Sequence, residues 1–134
     1  MSIIIIYIIY GAPCSGKSTY IKKHAKEGDL ICDVDLIYSA ISGNKPHEAD
    51  LYIHEIALKL KECLFDIIEN RAGKWNDVYI TSIANNEQDI DKLKNRVKAD
   101  EVILIDTPYE VCMERSKERP EYFKYLIAEW FNRI

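Results

Sequence analysis

Hydrophobic and polar residues divide the chain into two kinds of segment that follow one another in turn. Short runs rich in isoleucine, valine and tyrosine lie at about residues 3–10, 29–34, 77–83 and 101–105, and they predict strands. The runs are apolar without alternation, which is typical of strands covered on both faces, as in a parallel sheet. The pattern therefore predicts an α/β domain with a mainly parallel sheet.

Helical periodicity marks the segments between these runs. Residues 17–26, 48–70 and 87–98 are predicted helices, and Asn86 is a suitable N-cap for the third. In the longest of these helices, one apolar stripe is expected to face the sheet. Its members are Ile53, Ile56, Ala57, Leu60, Cys63, Leu64 and Ile67.

Two more helices are predicted towards the end of the chain. Residues 107–110 (Thr-Pro-Tyr-Glu) have the composition of a capping box with proline in the first turn, so Thr107 is expected to cap a helix there. Pro120 is expected to open a last helix. The apolar stripe of that helix is Phe123, Leu126, Ile127, Trp130 and Ile134. We find no internal repeat or linker, so residues 1–134 are predicted to form one domain.

The composition is that of a folded protein that is not generally attracted to polyanions. Hydrophobic residues make up 48% of the chain and the net charge is −4, which gives no global attraction to nucleic acid or to an anionic membrane. Residues 2–10 lack a basic n-region and are too short to span a membrane. The cysteines have no metal-ligand spacing and no export signal accompanies them, so we expect reduced thiols in a cytoplasmic protein.

A glycine-rich loop joins the first predicted strand to the first predicted helix. Residues 11–18 match the phosphate-loop pattern G-x-x-x-x-G-K-[ST], in which backbone N–H groups surround phosphate oxygens at a helix N-terminus. Lys17 is expected to reach the β and γ phosphates, and Ser18 to bind Mg²⁺. The predicted nucleotide-binding residues are Gly11, Ala12, Pro13, Cys14, Ser15, Gly16, Lys17, Ser18 and Thr19.

Cys14 lies inside this loop, close to a helix N-terminus that lowers the pKa of a thiol. Two interpretations stay open at this point. Cys14 is either a redox switch that blocks nucleotide entry or a small residue that fills space.

Two aspartates lie at the end of the second predicted strand. Asp33 and Asp35 are two residues apart, so on a strand end their side chains would point towards the edge where an open parallel sheet binds ligands. A carboxylate there accepts the proton of an attacking hydroxyl or holds magnesium. The alternatives are that Asp35 caps a helix beginning near Leu36 and that Asp33 is structural.

Two arginines follow the fourth predicted strand and its helix. Arg115 and Arg119 are four residues apart and would lie on one helical face, within a segment at about 113–121 that we predict to be a lid. Their guanidinium groups would neutralise charge on a triphosphate during transfer. The alternative is a solvated face on which Glu114 and Glu118 balance the two arginines.

Four stretches together resemble the P-loop nucleoside and nucleotide kinases, most of all the 5′-hydroxyl polynucleotide kinase domain and the zeta-toxin-like kinases. These stretches are GAPCSGKST at 11–19, ICDVDLIYSAI at 31–41, VYITSIANN at 78–86 and VILIDTPYEVCMERSKER at 102–119. The resemblance implies a three-layer P-loop fold whose parallel sheet has four or five strands. It also implies that Asp35 is the general base for the acceptor hydroxyl and that Arg115 or Arg119 contacts the nucleotide phosphates.

The chain departs from this family at two places. Tyr38 stands where polynucleotide kinases have an arginine that grips a substrate phosphate. Residues 81–83 (Thr-Ser-Ile) stand where many relatives have an aspartate after the third strand.

Together these patterns predict a phosphotransferase that uses ATP or GTP with Mg²⁺. Lys17, Asp35, Arg115 and Arg119 are the predicted catalytic residues, and Ser18 and Asp33 are the predicted metal ligands. The acceptor is expected to be a nucleoside, a nucleotide or the 5′ end of a polynucleotide, and no membrane partner is expected. The alternative hypothesis is a nucleotide-binding regulator or weak ATPase that transfers no phosphate.

Overall fold

A computed structural model of the protein describes residues 3–46 and 50–133. The first two residues of the helix predicted at 48–70 lie outside the described residues. Ile134, the last position of the predicted C-terminal stripe, also lies outside them. None of the described helices combines the length and the hydropathy that crossing a membrane requires.

The strands form one sheet in which every pairing is parallel. They are β1 (Ile6–Tyr10), β2 (Leu30–Cys32), β3 (Val78–Ser82) and β4 (Glu101–Leu104). Their order across the sheet is β2-β3-β1-β4, and the described residues contain no fifth strand. The predicted parallel α/β sheet is confirmed, although its first strand begins at Ile6 rather than at residue 3.

Each predicted helix is present, with small changes at the ends. The helices are α1 (Lys17–His24), α2 (Val34–Ser42), α3 (Leu51–Glu69), α4 (Glu87–Val97), α5 (Tyr109–Arg115) and α6 (Tyr122–Trp130), and a short 3₁₀ helix (Ser116–Glu118) follows α5. The predicted cap of α4 is confirmed, because the Asn86 side chain accepts a hydrogen bond from the backbone N–H of Asp89.

The sheet carries helices on both faces, which makes a three-layer domain. Alternate residues of a strand point to opposite faces, so Ile8 and Ile9 belong to two different clusters. On one face, Ile8 packs in a cluster with Phe65 and Ile68 of α3 and with Val97 of α4. On the other face, Ile9 packs with Ile21 of α1 and Tyr79 of β3.

The predicted apolar stripe of α3 is only partly correct. The buried residues of α3 are Ala57, Phe65 and Ile68, whereas Ile56, Leu60 and Ile67 are 51%, 38% and 39% exposed. Apolar residues cover more than half the circumference of this helix, so periodicity could not decide which third of it faces the sheet. The helix is rotated so that its Phe65–Ile68 side is inside.

Candidate active site

The backbone of the glycine-rich loop includes left-handed conformations and a close approach that favour glycine. Gly16 and Cys14 have φ angles of +103° and +65°, both in the left-handed region. A Cβ atom on Gly11 would lie 2.8 Å from the backbone oxygen of Ile105 and from Ser15 Oγ. The loop therefore requires glycine at both ends, as the phosphate-loop pattern demands, and α1 begins immediately after it at Lys17.

The Lys17 side chain folds back over this loop. Its Nζ donates hydrogen bonds to the backbone oxygens of Gly11 (2.9 Å) and Ala12 (2.7 Å). Burial lowers the pKa of Lys17 to about 8, and the charges of Asp33 and Asp35 oppose that shift. A partly buried ammonium whose hydrogen bonds go to backbone oxygens would gain from an incoming phosphate, because the phosphate is an anionic acceptor.

Ser15 adds a second group inside the loop that a ligand could satisfy. The residue is 3% exposed, and its Oγ has no hydrogen-bond partner among the described residues. A buried hydroxyl without a partner is costly unless a ligand or water binds to it. The chemistry of the loop thus fits a polyphosphate.

Asp33 and Asp35 are placed differently from the prediction. Strand β2 ends at Cys32 and α2 begins at Val34, so the two carboxylates do not extend from a strand. Asp33 is the N-cap of α2: its Oδ1 accepts a hydrogen bond of 2.8 Å from the backbone N–H of Asp35. The interpretation of Asp35 as a cap near Leu36 is therefore wrong, because the cap lies two residues earlier and Asp35 occupies the first helical turn.

Ser18 and Asp33 come together as a pair of oxygen donors. Ser18 Oγ lies 3.5 Å from Asp33 Oδ2, and Asp33 is 4% exposed. The described residues contain no group of three or more His, Cys, Asp or Glu side chains that could hold a metal ion. One hydroxyl and one carboxylate fit Mg²⁺, which takes few protein ligands and completes its shell with water and substrate phosphates.

The two arginines both lie close to the phosphate loop. Arg115, the last residue of α5, donates a hydrogen bond of 3.1 Å from Nη1 to the backbone oxygen of Cys14. Arg119 lies near enough for its charge to act on the Cys14 thiol, and its guanidinium carbon is 5.8 Å from the centre of the Phe123 ring. The segment that links α5 to α6 thus borders the loop.

Tyr122 brings the first turn of α6 towards Asp35. Burial raises the pKa of Tyr122, and the nearby charge of Asp35 raises it further. The charge of Asp35 thus acts on Tyr122 of α6 as well as on Lys17 of the phosphate loop.

Thr107 has a role other than the predicted one. The N-cap position of α5 is Pro108, which makes no side-chain capping bond. Thr107 Oγ1 instead donates a hydrogen bond of 2.6 Å to the backbone oxygen of Ser15. The capping-box prediction is wrong because α5 begins one residue later than expected, which leaves Thr107 outside the N-cap position.

Lys61 reaches the same edge of the sheet and was not among the predicted site residues. Its Nζ donates a hydrogen bond of 2.8 Å to the backbone oxygen of Thr81, at the carboxyl end of β3. The local sequence carries no signal for this contact, since Lys61 is one of several charged residues in an amphipathic helix.

The pKa of the Cys14 thiol is shifted in the opposite direction from that of a reactive cysteine. Burial raises its pKa, and the neighbouring charges of Arg119, Lys17 and Arg115 only partly counter that effect. A thiol with a raised pKa holds little thiolate near neutral pH, which favours the interpretation of Cys14 as a space-filling residue of the loop.

A family model described as "AAA domain" matches residues 6–128. Similar solved structures confirm the P-loop kinase type of fold. A chain of the Pnkp1/Rnl/Hen1 RNA repair complex aligns with a TM-score of 0.63 at 16% identity, and covers 100% of this chain and 47% of its own length. The present chain therefore spans less than half of that protein.

Two further solved structures share the fold. An unliganded sugar kinase from Janibacter sp. HTCC2649 has a TM-score of 0.64 at 19% identity, with 98% of this chain and 78% of that chain covered. Shikimate kinase from Acinetobacter baumannii in complex with shikimate has a TM-score of 0.56 at 14% identity, with 96% and 75% covered. No curated protein sequence matches the chain.

Proposed function

This chain belongs to the AAA domain family, and we propose that it is a kinase that moves the γ-phosphate of ATP or GTP to an acceptor hydroxyl or phosphate. The acceptor class we propose is a nucleoside, a nucleotide or the 5′ end of a polynucleotide. The observation that carries the proposal is the partly buried ammonium of Lys17 at the phosphate loop, with Asp33 and Asp35 close enough to act on its charge.

The donor side follows from the loop and the helix after it. Backbone N–H groups of the loop and the N-terminus of α1 would bind the phosphates, with the Ser15 hydroxyl as a further donor. Lys17 would exchange its two backbone acceptors for β- and γ-phosphate oxygens. The exchange replaces neutral carbonyl acceptors with anionic ones, so that both partners of the contact are charged.

Ser18 and Asp33 would hold Mg²⁺ at the rim of the loop. A magnesium ion bound there would neutralise charge that develops on the β and γ phosphates during transfer. Because Asp33 is also the cap of α2, its carboxylate is held in one orientation by the backbone of Asp35. That restraint places a metal ligand without further side-chain ordering.

Asp35 is the proposed general base. It lies in the first turn of α2, close enough to Lys17 and Tyr122 for its charge to act on both, and an acceptor hydroxyl bound beside it would have to be in line with the γ-phosphate. Its carboxylate would accept the hydroxyl proton as the phosphorus–oxygen bond forms.

Arg115 and Arg119 are proposed to stabilise the transferred group. Arg115 already contacts the loop backbone at Cys14, so a small rotation of its side chain would bring it to a phosphate oxygen. Arg119 follows on the segment after the 3₁₀ helix. Two guanidinium groups at this position would bind the charge that spreads over the γ-phosphate oxygens.

The test is transfer of label from γ-labelled ATP to a panel of nucleosides, nucleotides and 5′-hydroxyl oligonucleotides. We expect transfer to at least one acceptor, and a loss of about 10²-fold or more in Asp35→Asn. Asp91→Asn is the matched control, because Asp91 is an exposed carboxylate on α4, away from the site. Transfer at the wild-type rate in Asp35→Asn would remove Asp35 from the role of base.

The second candidate function is a nucleotide-binding regulator or weak ATPase. It is favoured by one observation: Thr81 and Ser82 end β3 where many kinases of this type have a carboxylate. Tight binding of ATP with slow hydrolysis, and no label on any acceptor of the panel, would support this candidate over the first.

A further inference from the structure

Lys61 is a cation held at the ligand-binding edge of the sheet. It projects from α3, donates to the backbone oxygen of Thr81 at 2.8 Å, and has its Nζ 5.9 Å from the centre of the Phe65 ring. The side chain is half-buried. The contact with Thr81 fixes the ammonium at the carboxyl end of β3.

This position adjoins the proposed metal and acceptor sites. Cys32 pairs with Ile80 in the β2–β3 register, so Asp33, which follows β2, and Thr81, the next residue of β3, lie at the same edge of the sheet. Burial raises the pKa of Cys32 to about 11, and the charge of Lys61 acts against that rise. Lys61 is thus close to the end of β2 as well as to β3.

No carboxylate of the described residues lies within ion-pair distance of Lys61 Nζ. The neighbouring Glu62 is engaged by Arg96, which also pairs with Asp66. An ammonium has three N–H donors, and the Thr81 carbonyl accepts from one of them. A half-buried cation with donors left over, at an edge where ligands bind, is suited to an anion.

Tyr38 cannot supply a phosphate contact on this side of the site. The residue is 1% exposed, and its hydroxyl accepts a hydrogen bond of 3.2 Å from Asn44 Nδ2. The position at which related kinases carry a phosphate-gripping arginine is therefore part of the core in this chain.

We propose that Lys61 binds an oxyanion of the acceptor, a phosphate or a carboxylate, and so selects anionic acceptors over neutral ones. The inference rests on the proposed function, because it assumes that an acceptor occupies the groove beside Asp33 and Asp35. In this proposal Lys61, on α3, makes the anion contact that related kinases make with an arginine at the position of Tyr38, on α2.

The experiment measures acceptor binding with the phosphate loop already filled. The protein is saturated with a non-hydrolysable ATP analogue and Mg²⁺, and titrated by calorimetry with thymidine 3′-monophosphate, shikimate and neutral thymidine. We expect one of the two anionic probes to bind roughly ten- to a hundredfold more tightly than thymidine, the range of a charge-assisted hydrogen bond. The phosphate and the carboxylate probe distinguish the two sources of the oxyanion.

Variants separate the charge of Lys61 from its structural contact. Lys61→Gln keeps a donor for Thr81 and loses the charge, and we expect it to remove the preference for the anionic probe. Lys61→Arg keeps the charge and should retain part of the preference. Lys59→Met is the matched control, since Lys59 is an exposed lysine of the same helix. Melting temperature and analogue affinity report whether each variant is folded.

Two results would overturn the inference: equal binding of all three probes by the wild type, or an unchanged preference in Lys61→Gln. Failure of the proposed function looks different, because no label would then pass from ATP to any acceptor of the panel, whether or not the analogue binds. If the analogue does not bind, the probes are titrated into the protein alone, and the comparison of wild type with Lys61→Gln still decides the role of Lys61.

Discussion

Thr107 Oγ1 donates a hydrogen bond of 2.6 Å to the backbone oxygen of Ser15, across 92 residues of sequence. The bond ties the loop after β4 to the middle of the phosphate loop. The tether uses a carbonyl oxygen, so it occupies none of the backbone N–H groups of the loop. A conformation with left-handed residues at Cys14 and Gly16 is thereby held before any nucleotide binds.

Replacing Thr107 tests this tether. Thr107→Val keeps the shape and removes the donor, so we expect a loss of about 1 kcal/mol in the free energy of unfolding and a several-fold weaker affinity for an ATP analogue. Thr107→Ser keeps the hydroxyl and should lie near the wild type. Chemical denaturation and calorimetry measure the two effects. Wild-type affinity in Thr107→Val would show that the loop needs no tether.

We expect Lys17 to make nucleotide binding depend on pH. Its pKa is about 8 in the free protein, and the negative charge of a triphosphate favours the ammonium and so raises this pKa on binding. Above pH 8 the free protein has lost the proton, which must return as the nucleotide binds. We therefore expect affinity to fall as pH rises above 8, by up to about tenfold per pH unit.

Calorimetry at pH 9 checks this proton uptake directly. Titrations of an ATP analogue in two buffers with different ionisation enthalpies should give different apparent heats, equivalent to nearly one proton taken up. Lys17→Arg carries a charge that does not titrate, so its binding heat should not depend on the buffer. Identical heats for the wild type in both buffers would contradict the assignment to Lys17.

Two substitutions of Asp33 separate its roles as cap and as metal ligand. Asparagine is as good an N-cap as aspartate, so Asp33→Asn should keep the stability of the wild type while weakening magnesium-dependent nucleotide binding. Asp33→Ala should lose about 1 kcal/mol of stability in addition. Thermal unfolding and titration of Mg²⁺ at fixed nucleotide give the two readouts. Equal Mg²⁺ dependence in Asp33→Asn and wild type would leave Asp33 as a cap alone.

Arg115 should affect the transfer step more than nucleotide binding. We expect Arg115→Met to lower the rate of phosphate transfer by roughly 10²-fold, since a donor aimed at developing charge contributes mostly in the transition state. The affinity for an ATP analogue should change by less than about tenfold. Arg71→Met, at an exposed turn, is the control. A loss confined to nucleotide affinity would reassign Arg115 to ground-state binding.

The features that were predicted correctly depend on residues close in sequence, whereas the features that were missed depend on contacts between distant parts of the chain. The cap at Asn86 and the helix at Lys17 were predictable, because each depends on residues within one or two turns. The buried side of α3 and the cap of α2 were not. Several arrangements satisfied the local pattern, and contacts with the sheet selected among them. The roles of the site residues remain predictions that the variants above would test.

The sequence by itself determined the alternating α/β order, the parallel sheet and the glycine-rich loop, since apolar runs and glycines act over a few neighbouring residues. The tertiary structure alone decided what surrounds that loop. Thr107, Arg115 and Lys61 reach it or the adjoining edge from elements far along the chain. Their positions depend on strand order and on the rotation of packed helices, and both are set by burial of the whole core.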